Sequence, residues 1–448
     1  MLDYINKIYI IVILTLYMLL ASHVNGYVSL LYFYAIALAL SYFTVLYVNS
    51  VASYTSYNYK NLFLNVFIYS AIAVSIQNFI SYYYNKNFFI FSTSDAVFYH
   101  NQAIRLMNLP ITEAIHKYLT YMSFDDLGMI LILYPLYHIY PSNLTLNVLY
   151  VIVGTISALS LFRLSQNFMD KKYAYFAALT YAISSYVLFF ETTGLKEVFM
   201  DMVVILSFDY YYRFMNNKNG INLLKAAAFM AMLFLFRPAI TIMILGGIGI
   251  TMQFSKEGGV ITRIISVIVI IGFVAMSNLI IEVIQTYTTG GVDTLLEARQ
   301  TQGGIIGSVP FTYAVNIISQ TLGPLPTLTA IIKAKLLIMF YAPGLVYRVF
   351  LAFPFWIGAF YMFKIRYYKL YPILIFAVLE MSSLAFLLDG LELRKAMPQM
   401  AFIYVIAFWF IYIYDNKKIF IANAEIFKGF FKVSMLILVG LMFYWNFR

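Results

Sequence analysis

The sequence predicts an all-α, polytopic helical membrane protein, and three observations carry that prediction. Of 448 residues, 63% are hydrophobic and only 11% are charged, and the mean hydropathy is +0.83. Apolar runs of about 20 residues, the length a helix needs to cross a bilayer core, recur from one end of the chain to the other. The bases behind the net charge of +10 sit in short connections such as Lys171-Lys172 and Lys364 to Lys369. There they act as topology signals, so no nucleic-acid partner is expected.

Taken in order, the apolar runs predict spans near 8–23, 28–48, 62–82, 144–163, 173–190, 196–213, 222–236, 238–254, 264–284, 345–363, 371–388, 397–414 and 429–446, about 13 transmembrane helices in a single transmembrane domain over 1–448. The N-terminal stretch before the first run carries one lysine and no small-residue cleavage site, which predicts a retained span. Lys60, Arg163 with Lys171 and Lys172, Arg213 with Lys218, Lys256 with Arg263, Lys364 with Arg366, and Lys417 with Lys418 all fall on one side of this alternation. The positive-inside rule makes that side, and the N-terminus, cytoplasmic. Met129 to Tyr140 is apolar but short and contains Pro135. It reads as a juxtamembrane or re-entrant helix, allowed where protein or water shields the backbone.

Two long loops, about 84–143 and 285–344, then lie on the outer face with the short connection Asp389 to Lys395. The second loop holds Thr288-Thr-Gly-Gly-Val-Asp293, Gly303-Gly304 and Pro324-Leu-Pro326, a turn-rich composition that suits either a lid or a plain connector. The absence of cysteine excludes disulfides, thiolate metal sites and cysteine nucleophiles.

The chemistry-bearing residues gather in these loops. In Ser94-Asp-Ala-Val-Phe-Tyr-His100, a short helix over 94–107 opened by Ser94 or Asp95 sets Asp95, Tyr99 and Gln102 on one face, with Val97, Ile104 and Leu106 elsewhere. Asp95, aimed inward, is either a proton acceptor for a sugar hydroxyl or a helix cap. Asp125-Asp126 is a pair that binds a divalent metal ion, shares a proton or caps the next helix. His100, His116 and His138 lack the spacing of a metal set and read as interfacial contacts. Lys196-Glu197 stands at the mouth of a span, its charges paired together or facing a cavity. Arg237 precedes Pro238 and is either a site residue or a snorkelling side chain. Arg394 and Lys395 lie on the outer face against the usual charge bias, at the depth of a lipid-carrier phosphate, which an arginine fork and a lysine point charge suit. Arg348, Lys333 and Lys335 are weaker candidates for the same role.

The run from Asn143 to Thr155 continued through Leu161-Phe-Arg-Leu-Ser to Tyr186 resembles the GT-C superfamily of membrane glycosyltransferases, which includes protein O-mannosyltransferases and aminoarabinose transferases. An acidic first outer loop, a span-mouth acid like Glu197, Phe236-Arg-Pro238 and the Arg394-to-Pro398 pattern agree with it in order, so that it covers roughly 90–245 and 385–412. The first loop departs from it in having Asp95-Ala96 where many members have Asp-Glu. The resemblance implies Asp95 as catalytic base or acceptor-orienting acid, Glu197 as a cavity acid and Arg394 as a phosphate-binding residue. It implies transfer of a sugar from a polyprenyl-phosphate-linked donor to a glycan, lipid or protein acceptor on the outer face of the cell (inner) membrane. No nucleotide-binding fingerprint occurs, in keeping with a donor activated elsewhere. Two rivals stand beside this expectation: a polysaccharide polymerase of the O-antigen type, and a transporter or lipid flippase. A transporter concentrates ionisable residues inside its spans, often in broken helices, whereas here all but Asp201, Asp209, Glu282 and Glu380 are expected at span ends.

Overall fold

The computed structural model describes residues 1–23, 26–52, 57–89, 95–121, 124–254, 308–323, 340–387, 393–416 and 424–447, and every regular element among them is helical. In chain order these are α1 (Leu2–His23), α2 (Tyr27–Val51), α3 (Tyr59–Asn85), α4 (Asp95–Leu106), α5 (Ile111–Tyr121), α6 (Leu127–Ile139), α7 (Asn143–Ser165), α8 (Lys171–Ala182), α9 (Ser185–Thr193) and α10 (Glu197–Asn217). There follow α11 (Gly220–Leu233), α12 (Pro238–Phe254), α13 (Val309–Leu322), α14 (Ala342–Lys364), α15 (Tyr371–Phe386), α16 (Met397–Asp415) and α17 (Ala424–Phe447). Short 3-10 turns span Phe124–Asp126, Tyr368–Leu370 and Leu393–Ala396.

Local chemistry sets many of the boundaries. Asn58 and Asn219 cap α3 and α11 by accepting the N–H groups of Asn61 and Ile221, and Ser142 does the same for α7 through Leu144. Lys86 and Lys218 close α3 and α10 in the left-handed conformation.

α16 is apolar on every side and buried throughout, so it forms the axis of the bundle. Helices α8, α10, α14 and α15 pack around it. By contrast α1, α2, α3 and α17 turn large apolar side chains outward, among them Ile11, Leu30, Phe79 and Leu436, each more than 60% exposed. Contiguous apolar surface of that extent is the signature of a lipid-facing wall.

Seven described helices are long and apolar enough to cross a membrane: α1, α2, α3, α7, α14, α15 and α16. The pair α8 and α9 makes an eighth if counted as one span, but it is bent by 45°. The span expected over 173–190 is therefore bent, and α14 packs on the bend. Gly344 of α14 packs so tightly on the break that a Cβ there would stand 2.4 Å from Ser184 Oγ, and its N–H is accepted by Ser185 Oγ at 2.8 Å. The expected thirteen exceed these seven or eight because α11 and α12 are short, as is the apolar part of α17, and because α10 carries Glu197, Asp201, Asp209 and Arg213. The span expected at 264–284 lies outside the described residues.

The first long loop folds into α4, α5 and α6, which share a small core of Leu106, Ala114, Tyr118, Leu127 and Ile130. The short apolar helix expected over Met129 to Tyr140 is α6, with Pro135 inside it. The second long loop includes one described helix of its own. It contains α13, whose Thr312, Asn316, Ser319 and Gln320 are buried, while Thr288 to Asp293, Gly303-Gly304 and Pro324 to Pro326 lie outside the described residues.

Candidate functional site

Two glycine contacts bring the first loop onto the bundle. Gly194 ends α9 at φ 74°, and a Cβ there would stand 2.2 Å from Asn143 Oδ1 and 3.4 Å from the Ala96 side chain. Only glycine accepts both that conformation and that approach. At Gly128, the first turn of α6 donates its N–H to the Leu235 carbonyl at 2.8 Å and lies flat on the Phe236 ring. The acidic turn Phe124–Asp126 is thereby set against the break between α11 and α12, where Pro238 supplies no N–H and starts the next helix.

Among the described residues, three ion pairs are found at this end of the bundle. Arg394 Nη1 donates to Asp95 Oδ2 at 2.5 Å, joining residues 299 positions apart. Lys196 Nζ pairs with Asp126 Oδ1 and also donates to the Phe236 carbonyl at 2.9 Å. Arg237 Nη2 stands 3.6 Å from Glu197 Oε1, an ion pair too long for a hydrogen bond. Tyr99 donates its hydroxyl to Asp126 Oδ1 at 2.7 Å. Burial and the Asp126 carboxylate raise the Tyr99 phenol well above its ordinary range, so it stays protonated and donates to that carboxylate.

The acids differ in access. The Glu197 side chain is 2% exposed and its Oε2 has no hydrogen-bond partner, whereas the Asp95 side chain is 51% exposed. Asp95 is thus turned toward Arg394 and the surroundings, and not inward as the helix periodicity predicted. The buried face of α4 is Ala96, Tyr99, Ala103 and Leu106, so Leu106 shares a face with Tyr99.

Of the remaining candidates, Gln102 and Lys395 are half-buried, on α4 and in the 3-10 turn before α16. His100 leaves the charged group altogether: its Nδ1 lies 2.6 Å from the Tyr137 hydroxyl, its ring meets Phe89, and burial lowers its pKa. His138 bonds through Nδ1 to the Tyr134 carbonyl, and Thr120 bonds to the carbonyl of His116. Asp126 is engaged by Lys196 and Tyr99, and among the described residues no group of three or more acidic or histidine side chains is placed to hold a metal ion. Asp125 lies in the same 3-10 turn. Lys333 and Lys335 lie outside the described residues.

Further ionisable side chains lie inside the bundle. Glu191 is fully buried, with Oε1 where a Cβ on Gly154 would stand, 2.0 Å away. Asp201 accepts the Tyr181 hydroxyl at 2.7 Å, Glu380 is 3% exposed with an unpartnered Oε2, and Arg348 is 2% exposed. Glu191 and Arg348 therefore join Asp201 and Glu380, which were already expected inside spans. Asp201 and Glu380 were visible as charges inside apolar runs, whereas nothing in the local sequence marked Glu191 or Arg348 as buried.

Arg163, Arg213 and Lys369, three bases of the topology pattern, lie at the other end. Arg163 and Arg213 both meet Asp209, and Tyr212 donates to the Lys369 carbonyl at 2.6 Å. Along α10, Glu197 and Arg213 are 16 residues apart, about 24 Å at the helical rise. The fold and these two charged ends define an all-helical membrane protein with a polar, ion-paired site at one end of its bundle. Set against family models, curated proteins and solved structures, the chain matches none of them.

Proposed function

We propose that the protein is a membrane glycosyltransferase that moves a sugar from a polyprenyl-phosphate-linked donor to a hydroxyl-bearing acceptor, glycan, lipid or protein. The observation that carries this reading is the Asp95–Arg394 pair, which sets the most exposed acid of the site against a base at the start of a buried span. A donor phosphate competes with Asp95 for Arg394. Once Arg394 turns to the phosphate, the freed carboxylate accepts the proton of the acceptor hydroxyl as that oxygen bonds to the anomeric carbon. The bond from the anomeric carbon to the phosphate oxygen breaks, its electron pair stays on the phosphate, and Arg394 and Lys395 stabilise the charge that develops there. Glu197 and Arg237, deeper and paired, line the donor side.

In this reading the chain has thirteen spans: α1, α2, α3, α7, the bent pair α8 and α9, α10, α11, α12, α14, α15, α16 and α17, with 264–284 between α12 and α14. The N-terminus is cytoplasmic, the site lies on the outer face of the cell membrane, and the α4 to α6 layer rests at that interface. In this cysteine-free chain, Asn108→Cys is expected to react with an impermeant thiol reagent from outside, and Asn217→Cys is not. The reverse pattern would put the site in the cytoplasm and end the outer-face assignment.

The decisive assay is transfer from a synthetic polyprenyl-phosphate sugar by purified protein. A second reading, a transporter or flippase, is favoured by a specific observation, the broken α8 and α9 span together with the buried Glu191, Asp201 and Glu380. Lipid movement across vesicles without any sugar transfer would select it.

A further inference from the structure

Arg348 lies in the second turn of α14, 2% exposed. Its Nη2 donates to the Gln320 carbonyl at 2.9 Å, while Nη1 has no hydrogen-bond partner. Among the described residues no carboxylate pairs with it, although Arg163, Arg213, Arg237 and Arg394 each meet one. A buried charge without compensation is costly, and inside a membrane such groups mark substrate or ion sites.

The guanidinium lines a narrow, partly open space together with Tyr186, Ser319, Gln320, Ala396 and Gln399, with room for about one water molecule. None of the side chains that line it is acidic. Gln399 is 1% exposed and holds Gln320 Oε1 at 2.7 Å. Ala396, the N-cap of α16, makes no side-chain cap hydrogen bond and lines the same space. Gly323, at φ 104°, makes room for the arginine: a Cβ there would stand 2.8 Å from Arg348 Cδ.

We propose that this space is an anion site that takes one oxygen of a phosphate group, held against the Arg348 guanidinium. A guanidinium with no carboxylate partner is a donor that suits a phosphate oxygen. The space admits one oxygen atom, and the rest of the group sits in its opening. The phosphate belongs to a lipid headgroup or to free inorganic phosphate. The proposal does not rest on the sugar-transfer reading, and the site is distinct from the Asp95–Arg394 pair.

Trp356 reports locally, because its Nε1 donates to the carbonyl of Thr321, next to Gln320, at 2.8 Å. With Trp409 and Trp445 changed to phenylalanine it is the single tryptophan of the full-length chain. Its fluorescence would be titrated with inorganic phosphate in detergent, and compared in nanodiscs of phosphatidylcholine with and without phosphatidic acid. A saturable response to inorganic phosphate identifies the free ion as ligand, and a response to phosphatidic acid alone identifies a headgroup. In either case Arg348→Gln is expected to weaken the response about ten- to a hundredfold, the loss of a charge-assisted contact. Arg348→Lys should weaken it less, and Lys364→Gln, at the far end of α14, should leave it unchanged. Equal binding by Arg348→Gln, equal potency of chloride and phosphate, or loss of the response in Lys364→Gln would overturn the proposal. So would silence of the wild type toward both probes, which needs no variant to fold.

Discussion

The two ends of the bundle use the same residue types to opposite effect. At one end Asp209, 1% exposed, receives Arg163 through both Nε and Nη2 and stands 3.3 Å from Arg213. Two bases saturate one buried acid, and all three come from the adjacent helices α7 and α10. At the other end each acid has one principal base, the partners come from distant segments, and the acids keep exposed or unpartnered oxygens. A saturated, buried carboxylate has nothing left to exchange and works as a clamp. A half-exposed carboxylate facing a single arginine can trade that partner for a substrate group at small cost, since exposed pairs contribute about 1 kcal/mol or less.

The contrast is broken or sharpened by four measurements. The largest effect is expected for Asp95→Asn, which keeps shape and removes the proton acceptor. Sugar transfer should fall about a hundred- to ten-thousandfold with stability almost unchanged, and full activity in this variant would remove Asp95 from the mechanism. Next comes Asp209→Asn, where two arginines lose their acid. The thermal unfolding midpoint should drop by the equivalent of about 3 kcal/mol, the low end for a broken buried pair because both arginines are about one-third exposed. An unchanged midpoint would mean that this end is no clamp. Arg394→Ala should raise the donor KM about ten- to a hundredfold with little change in acceptor KM, and equal effects on both would make Arg394 a structural anchor.

The smallest effect is electrostatic and belongs to His100. Burial lowers its pKa, so the folded state favours the neutral ring, and the stability this contributes is present above about pH 6.5 and lost as pH falls below it. The loss is at most about 1.4 kcal/mol per pH unit. His100→Gln should flatten that part of the stability profile. A profile that does not change would separate His100 from the acid sensitivity of this end.

The long helices were legible because lipid-facing walls and the buried axis α16 both require unbroken apolar runs, whichever neighbours they have. The bend after Ala182 was not, because Ile183-Ser184 contains no helix breaker and Gly344, which packs on the bend, is 160 residues away. For the site, the choice of residues was more legible than their partners. Asp95, Arg394, Lys196, Asp126, Glu197 and Arg237 were all conspicuous as charges in an apolar chain, and the structure brings all six to one end. Which acid meets which base depends on how α4 to α6 fold back. Periodicity alone turned Asp95 inward, because it could not register that Ala96, Ala103 and Leu106 supply the packing face of α4.

Lys196 has a mechanical consequence. One ammonium group is the common joint of three segments: the start of α10 that bears it, the acidic turn before α6, and the carbonyl left at the break between α11 and α12. The first loop and the break between α11 and α12 are therefore held to the start of α10 by the same side chain, which stands one residue before Glu197 and grips the carbonyl next to Arg237.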